Sequence, residues 1–275
     1  SLELFVCDYD ADIDAGQTSA VWIRQTENAR DHLVGILEKK LEDLAAPLRK
    51  QGLKVSVDVA WDHPLDEAIV RKVIKAEPWL VAKDTHHHNV LKRTILSNTD
   101  WSLIRECPAP LYLAKPQGVA KAPKIAAAVD PLHEHDKPAQ LDHKLVKIAQ
   151  KLAEATGGEL HIAHTYPLPQ PMSVPEGAPI VDISEEVEAE HRRAFDAFLK
   201  KCKLPGAKSH LLEGQPHQRL PELVAGINID VMVMGAVSRR GLDRIFLGST
   251  AERVLDRLPC DLLIVKPDGF ESSVR

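Results

Sequence analysis

Two short segments near the C-terminus contain residue types that bind phosphate. Gly235 follows the apolar stretch 231–234, and Gly248, Ser249 and Thr250 open a segment with helical periodicity. Backbone N–H groups at the start of a helix attract anions, and the two hydroxyl groups can donate further hydrogen bonds to phosphate oxygens. Gly235 can adopt a positive φ or let a ligand approach the backbone closely. This pattern favours a phosphate-binding loop, although turn glycines and a hydroxyl residue that caps a helix would give the same letters.

Charged residues near this loop suit the rest of a nucleotide. Arg239 and Arg240 lie between the two glycines, where they can pair with a polyphosphate. Asp130 ends the apolar run 124–129, and in an open parallel sheet the carboxyl ends of strands near the switch point meet at one edge. The carboxylate of Asp130 can accept hydrogen bonds from an adenine amino group or a ribose hydroxyl. We therefore expect one site formed by the loop and this strand end.

The elements that position these residues belong to a repeat of about 150 residues. "CPAPLYLAKP" (107–116) aligns without gaps with "LPCDLLIVKP" (258–267), and each has Lys-Pro after an apolar strand. In the second copy, strands alternate with helices, which predicts an α/β fold with a parallel sheet. The predicted strands are 124–129, 160–164, 207–212, 231–234 and 262–265. The predicted helices are 141–152, 184–201, 217–226 and 250–257.

The first copy begins with a later element than the second. "LELFVCDY" matches "ELHIAHTY", the second strand of the complete copy, so a strand and a helix have no counterpart at the front. We expect residues that precede Ser1, or another segment, to fill that gap. The predicted domains are 1–116 and 124–268, joined by the short polar linker 115–124. The final strands, 111–115 and 262–265, are predicted to pair across a pseudo-two-fold axis, as in a dimer fused into one chain, and a further homodimer remains open.

Bulk composition excludes several classes of protein. The net charge of −5 and the pI of about 6.2 argue against a general nucleic-acid binder. No apolar run has the length of a membrane span and no signal peptide is evident. The four cysteines are far apart in the sequence, which predicts small buried residues in a reducing compartment. We therefore expect a cytoplasmic protein.

The order of the loop residues resembles the ATP-binding signature of the universal stress proteins, G-x2-G-x9-G-[ST], with Ser238 in place of the middle glycine. The resemblance extends over nearly the whole chain and is greatest to the tandem-domain, E-type members. It implies two doubly wound units with five-stranded parallel sheets of order 3-2-1-4-5. It also implies an ATP site, with adenine contacts from the carboxylate of Asp130 and the backbone of Thr165. The residues that the resemblance assigns to phosphate and ribose are Gly235, Ser238, Gly248 and Ser249.

The first copy departs from this signature. Asp84, His87 and Ser97 stand in place of the three glycines, and Asn98 in place of the hydroxyl residue. A carboxylate at position 84 would repel phosphate groups. We therefore predict that the first copy is not an ordinary ATP site.

The histidine run "THHHN" (85–89) suggests a different chemistry for the same loop. Neutral imidazoles bind zinc, and His86, His88 and Asp84 can supply ligands from one loop. The alternative is three solvated histidines on a turn. Zinc is therefore a second possible cofactor.

The sequence points to binding rather than catalysis. It contains no G-x-S-x-G, Walker A or H-E-x-x-H motif, so no catalytic set can be named. The first hypothesis is a stress-response protein that binds ATP in its second half and acts through conformation or partners. The second is a non-catalytic carrier or scaffold for an apolar or sugar-nucleotide-like ligand, and slow ATP hydrolysis ranks last. The proline-rich stretch 165–183 is either a lid, a ligand groove or a loop without a role.

Overall fold

Strands and helices alternate along the chain in the computed structural model. The structure describes residues 1–14, 20–85, 96–116, 118, 120–132, 140–167, 183–236, 238–241, 244–247 and 249–275. The strands are β1 (Leu2–Asp8), β2 (Val55–Trp61), β3 (Val81–Asp84), β4 (Leu111–Ala114), β5 (Lys124–Ala128), β6 (Glu159–Tyr166), β7 (Lys208–Glu213), β8 (Val231–Gly235), β9 (Ser238–Gly241), β10 (Arg244–Leu247) and β11 (Asp261–Val265). The helices are α1 (Ala11–Asp14), α2 (Ala20–Lys50), α3 (Leu65–Ala76), α4 (Asn98–Glu106), α5 (Leu141–Thr156), α6 (Ser184–Cys202), α7 (Pro216–Ile227) and α8 (Ser249–Leu255).

The chain divides into two compact units, residues 1–76 with 274–275 and residues 77–273. In the first unit, β1 and β2 form a parallel pair in which Leu2 lies opposite Val55 and Asp8 opposite Trp61. Helix α2 packs on β2, and α3 packs on β1. The second unit contains β3 and β4 as well as the whole second repeat. The division at residues 116 and 124 therefore describes the sequence repeat and stays a prediction for domains.

A seven-stranded sheet forms the centre of the second unit. Its order is β3-β4-β11-β8-β5-β6-β7. Within it the five strands of the second repeat follow the order 3-2-1-4-5 and are parallel, which confirms the predicted topology. The order reverses between β5 and β8, which are neighbours although they are the first and fourth strands of the repeat. This pair therefore marks the switch point of the sheet.

Strand β8 is apolar along its whole length, and β11 is apolar after Asp261, because helices cover the sheet. Helix α5 packs on β5, β6 and β8, and α6 packs on β6 and β7. The core on this side joins Ile125 and Val233 of the sheet to Leu145 and Phe195 of the helices. Strands buried on both faces need continuous apolar runs rather than alternation, as "VMVMG" and "DLLIV" show.

The final strands of the two repeats pair in antiparallel fashion, as predicted. In this ladder Leu262 lies opposite Leu113, and Ile264 lies opposite Leu111. The β4 edge and the β11 edge therefore satisfy each other's backbone hydrogen bonds.

Two buried lysines follow these strands and reach across the junction. Lys115, which is 5% exposed, donates its ammonium to the carbonyl of Leu258. Lys266, which is 2% exposed, donates to the carbonyl of Arg105 at 2.9 Å. Both carbonyls lie at or just beyond the C-terminal end of a helix, where a cation is favoured. Each repeat thus supplies a lysine to the helix end of the other.

Two expectations need correction. The segment between Gly235 and Gly248 is not simply a loop, because β9 and β10 form an antiparallel pair with Ser238 opposite Leu247. The pair leaves two residues between its strands, which is a common connection in a β-hairpin. The four cysteines are not all buried, because Cys7 and Cys202 are partly exposed while Cys107 and Cys260 are buried. Burial raises the pKa of the Cys107 thiol to about 11 and that of Cys260 to about 12, which keeps both neutral.

Candidate functional site

Three of the predicted nucleotide-binding residues lie at the carboxyl edge of the second-repeat sheet. Asp130 follows β5, Thr165 is the penultimate residue of β6, and Gly235 ends β8. The parallel ladders of β5 with β6 and with β8 bring these strand ends to the same edge. Because β5 and β8 flank the switch point, the gap between them opens at this edge. All three residues are partly exposed.

A second carboxylate, Asp142, fixes the backbone at Asp130. The Asp130 N–H donates to Oδ2 of Asp142 at 3.1 Å. Asp142 is buried in the first turn of α5, where the N-terminal end of the helix favours a negative charge. Two carboxylates thus lie near this strand end, an arrangement suited to the amino and hydroxyl groups of a nucleoside rather than to its phosphates.

Of the two reasons predicted for Gly235, a positive φ is wrong, and close approach of a ligand stays a prediction. Its φ is not positive, so conformational freedom does not explain the glycine. A Cβ at this position would lie 2.9 Å from Cδ2 of Leu141, the first residue of α5. The glycine therefore lets the start of α5 approach the end of β8. The same helix start holds Asp142, so the packing of Gly235 helps to place Asp130.

The phosphate-binding part of the predicted site is described only by its backbone. Ser238 and Arg239 lie in β9, and Ser249 and Thr250 begin α8. Gly248 lies outside the described residues. Helix α8 therefore begins where the sequence predicts an N-terminus, after the hairpin that follows Gly235.

A pair of buried histidines supports the strand end that leads to Asp130. Nδ1 of His164 lies 3.0 Å from the carbonyl oxygen of Val129, and since a carbonyl only accepts, this nitrogen carries the hydrogen. Nε2 of His164 then accepts from Nδ1 of His191 at 2.8 Å. The two rings stack with centroids 5.0 Å apart. The sequence analysis did not predict a role for either residue. A histidine within the apolar strand "ELHIAHTY" could have indicated a buried imidazole that needs a hydrogen-bond partner.

Tyr166 adds a polar group next to this pair. Its ring lies 5.5 Å from that of His191. Burial, followed by the nearby Glu188 carboxylate, raises the pKa of the Tyr166 phenol. The phenol therefore stays neutral and can act as a hydrogen-bond donor near neutral pH.

Among its described residues, the first repeat has no comparable arrangement at the equivalent edge. Asp84 is exposed at the end of β3. Ser97, which replaces the last glycine, is the N-cap of α4, and its hydroxyl accepts from the backbone N–H of Asp100 at 3.1 Å. The hydroxyl is thus used within the protein.

The predicted zinc site falls mostly outside the described residues. His86 and His88 both lie in the segment 86–95, and of the proposed ligands only Asp84 is described. Among the described residues no group of three histidine, cysteine or acidic side chains is arranged to hold a metal ion. Zinc binding by the loop 84–88 stays a prediction.

A cleft of about 450 Å³ lies at the opposite edge of the sheet from the predicted site. It is lined by residues before β8 and β11, including Asp230 and Cys260, and by Tyr112 of β4. The carboxylate oxygens of Asp261 in its wall already accept from Tyr112 and from the Lys115 N–H. The predicted nucleotide-binding residues, which lie at the carboxyl edge of the sheet, do not line this cleft.

None of the helices within the described ranges has the length and apolar character needed to cross a bilayer. This agrees with the absence of a long apolar run in the sequence.

Comparison with known proteins gives one family. The model of the "Universal stress protein family" matches residues 124–266. Universal stress protein E of Escherichia coli K12 is 34% identical over 227 residues, which is 81% of this chain and 72% of that protein. A universal stress protein E homolog of Haemophilus influenzae is 27% identical over 219 residues, covering 78% of this chain and 71% of the relative.

Solved structures agree in fold. The structure of a universal stress protein of Pseudomonas aeruginosa UCBPP-PA14 matches with a TM-score of 0.71 and 27% sequence identity. The match covers 97% of this chain and 93% of the chain of that protein. A universal stress protein of Archaeoglobus fulgidus has a TM-score of 0.61 at 18% identity, covering 96% of this chain and 87% of its own. The second likeness concerns the fold alone.

Proposed function

The chain belongs to the universal stress protein family, a family of stress-response proteins, and we propose that it binds one adenine nucleotide, ATP, in its second repeat. One observation carries the proposal. Asp130 and Gly235 flank the switch point of the parallel sheet, at the edge beyond which helix α8 begins. That edge combines carboxylates for the nucleoside with a helix N-terminus for the phosphates.

Each part of the nucleotide has a candidate partner at this edge. Asp130 accepts from the adenine amino group or from ribose, and the backbone of Thr165 contacts the base. Ser238, Ser249 and Thr250 donate to phosphate oxygens, together with the backbone N–H groups at the start of α8. Arg239 balances phosphate charge. Gly248 keeps side-chain atoms away from the phosphates.

In this proposal the protein is a binding protein of the cytoplasm. The bound nucleotide acts by changing the conformation of the protein or its interaction with a partner. The four thiols are all unpaired in the structure, as a reducing compartment requires. Fractionation of cells that express the intact protein would check this location. Release of phosphate from ATP that Asp130→Ala abolishes would instead support slow hydrolysis.

Thermal unfolding with and without ATP tests the proposal. A ligand that binds only the folded protein at about 100 times its Kd stabilises it by about 2.7 kcal/mol, which raises the Tm by several degrees. We expect Gly248→Asp to abolish this shift through charge repulsion, and Asp130→Ala to weaken it. Asp84→Ala, in the first repeat, is the matched control and should keep the full shift.

The result without a shift is equally informative. If ATP fails to stabilise the unaltered protein, the proposal is wrong. Native mass spectrometry of the purified protein would then reveal any other retained small molecule, as the carrier hypothesis requires.

A further inference from the structure

The N-terminus of α4 in the first repeat carries its own negative charge. Ser97 and Asp100 form a capping box, in which Ser97 N–H donates to Oδ2 of Asp100 at 2.8 Å and Asp100 N–H donates to the Ser97 hydroxyl. The side chain of Asp100 is completely buried. The carboxylate therefore accepts from the backbone N–H of the N-cap residue, at the helix end where a negative charge is stabilised.

A lysine on the neighbouring strand completes the surroundings of this carboxylate. Nζ of Lys83, in β3, lies 2.9 Å from Oδ1 of Asp100. The same ammonium donates to the carbonyl of Asp84 at 2.8 Å. Asp100 thus has a cation near one oxygen and a backbone donor on the other, the kinds of partner that a bound phosphate needs.

The second repeat differs at both positions of this ion pair. Thr99 aligns with Thr250, an offset of 151 residues, and the same offset matches Lys83 to Met234 and Asp100 to Ala251. Met234 is a buried residue of β8, and Ala251 lies in the first turn of α8. The lysine and the carboxylate are therefore present together in one repeat and replaced together by uncharged residues in the other.

We propose that Asp100, held by its ion pair with Lys83, is a built-in anion that occupies the phosphate position of the first repeat. Asp100 replaces the phosphate group, so the first repeat excludes nucleotides and the chain binds one nucleotide rather than two. The statement about one nucleotide rests on the proposed function, whereas the statement about the built-in anion does not. The pair thereby determines which repeat is a binding site.

Replacement of Asp100 by alanine should open an anion site. Lys83 and the Ser97 N–H would lose their partner, and inorganic phosphate or sulfate could take its place. We expect Asp100→Ala to lower the Tm. Addition of 50–100 mM phosphate should then raise the Tm of this variant by about 3 °C more than it raises the Tm of the unaltered protein. Asp100→Ser, which also removes the charge and leaves room at the helix start, serves if the alanine variant fails to fold.

Two controls separate this effect from general stabilisation by salt. Asp261→Ala removes another buried carboxylate, one that is not at a helix N-terminus, and should gain no more from phosphate than the unaltered protein does. Lys83→Met with Asp100→Ala should lose most of the additional gain, because the cation is absent. The four proteins to compare are the unaltered protein, the two single variants Asp100→Ala and Asp261→Ala, and the double variant. An equal rise in Tm with phosphate in all four would overturn the proposal of a built-in anion.

The reciprocal exchange tests the consequence for nucleotide binding. Met234→Lys with Ala251→Asp places the same pair in the second repeat, and we expect it to abolish the Tm shift with ATP. Met234→Leu with Ala251→Ser, which adds no charge, should keep the shift. A full ATP shift in the charged variant would overturn the role of the pair in site choice. If the unaltered protein shows no ATP shift, the proposed function fails, while the phosphate experiment on Asp100→Ala still decides whether the built-in anion exists.

Discussion

Tyr112 lies opposite Leu263 in the antiparallel ladder between β4 and β11, and the two residues occupy equivalent positions of the two repeats. When a strand pairs with its own equivalent about a two-fold axis, the central pair consists of equivalent residues. The axis therefore passes between Tyr112 and Leu263. The lysines obey the same relation, since Lys115 and Lys266 are equivalent and each reaches the end of a helix in the other repeat. The repeated Lys-Pro of the sequence thus belongs to the junction.

We expect Lys266→Met to change how stability depends on pH. Burial lowers the pKa of Lys266 to about 8, below its ordinary value of 10.5. The unfolded chain therefore binds more protons than the folded one between these values, and the lysine adds stability as pH rises from 8 to 10.5. Between pH 8 and 10.5, the free energy of unfolding of the unaltered protein should rise, relative to that of Lys266→Met, by on the order of 3 kcal/mol at most.

Urea unfolding of both proteins at pH 7, 8.5 and 10 measures this difference. At pH 7 the methionine variant should be at least as stable as the unaltered protein, because a buried charge is removed. Lys151→Met on the exposed face of α5 is the control and should give a difference that does not change with pH. A constant difference for Lys266→Met as well would contradict the lowered pKa.

Tyr112→Phe should weaken the same junction. The Tyr112 hydroxyl donates to Oδ2 of the buried Asp261 at 2.6 Å, and the loss of a donor to a buried carboxylate costs roughly 1–3 kcal/mol. Tyr166→Phe is the matched control, because its partner Glu188 is partly exposed and keeps its ion pair with Arg192. Urea unfolding should show the larger loss for Tyr112→Phe, and equal losses would speak against a special role of the junction bond.

Sheet order and the pairing of the two repeats could be predicted because the sequence repeats its strands in a recognisable order. Apolar runs bounded by proline locate β4 and β11 without any tertiary information. The capping box of α4 was missed, although Ser97 and Asp100 stand at the spacing that such a motif requires. Its ion pair with Lys83 could not be predicted, because that contact depends on how β3 lies against the helix start.

The contacts that the sequence could not reveal join residues on different elements. His164 and His191 are separated by 27 residues, and nothing in either segment marks the other as its partner. The packing reason for Gly235 required the position of Leu141 on α5, which the sequence does not give. The hairpin of β9 and β10 was missed because the signature spacing treats these residues as a loop.

Acid should destabilise the protein through a second histidine pair. Nδ1 of His161 and Nε2 of His210 are 2.8 Å apart, and burial lowers the pKa of both imidazoles below the ordinary value of 6.5. The stability that these groups contribute is present above the pKa of the unfolded chain and is lost as pH falls through the lower folded pKa. The unfolding free energy should therefore fall below about pH 6.5.

A double variant isolates this effect. His161→Leu with His210→Leu should lose less stability than the unaltered protein between pH 7 and 5.5. His32→Gln, on the exposed part of α2, is the control and should follow the unaltered protein. Identical acid dependence in the double variant would assign the loss to other groups.

Gly235→Ala should affect both stability and the proposed site. The added Cβ would lie 2.9 Å from Cδ2 of Leu141, so the start of α5 or its side chain must move, at a cost of about 1 kcal/mol. Because Asp142 follows Leu141 and holds the backbone of Asp130, this movement should also reduce the Tm shift with ATP.

Gly226→Ala is the matched control, since nothing lies within 4 Å of its added Cβ and alanine favours the helix interior. A double-mutant cycle with Leu141→Ala should show that the two changes are not additive, because the smaller residue makes room for the new methyl group. Additive losses would mean that Gly235 is required for another reason, such as contact with the ligand itself.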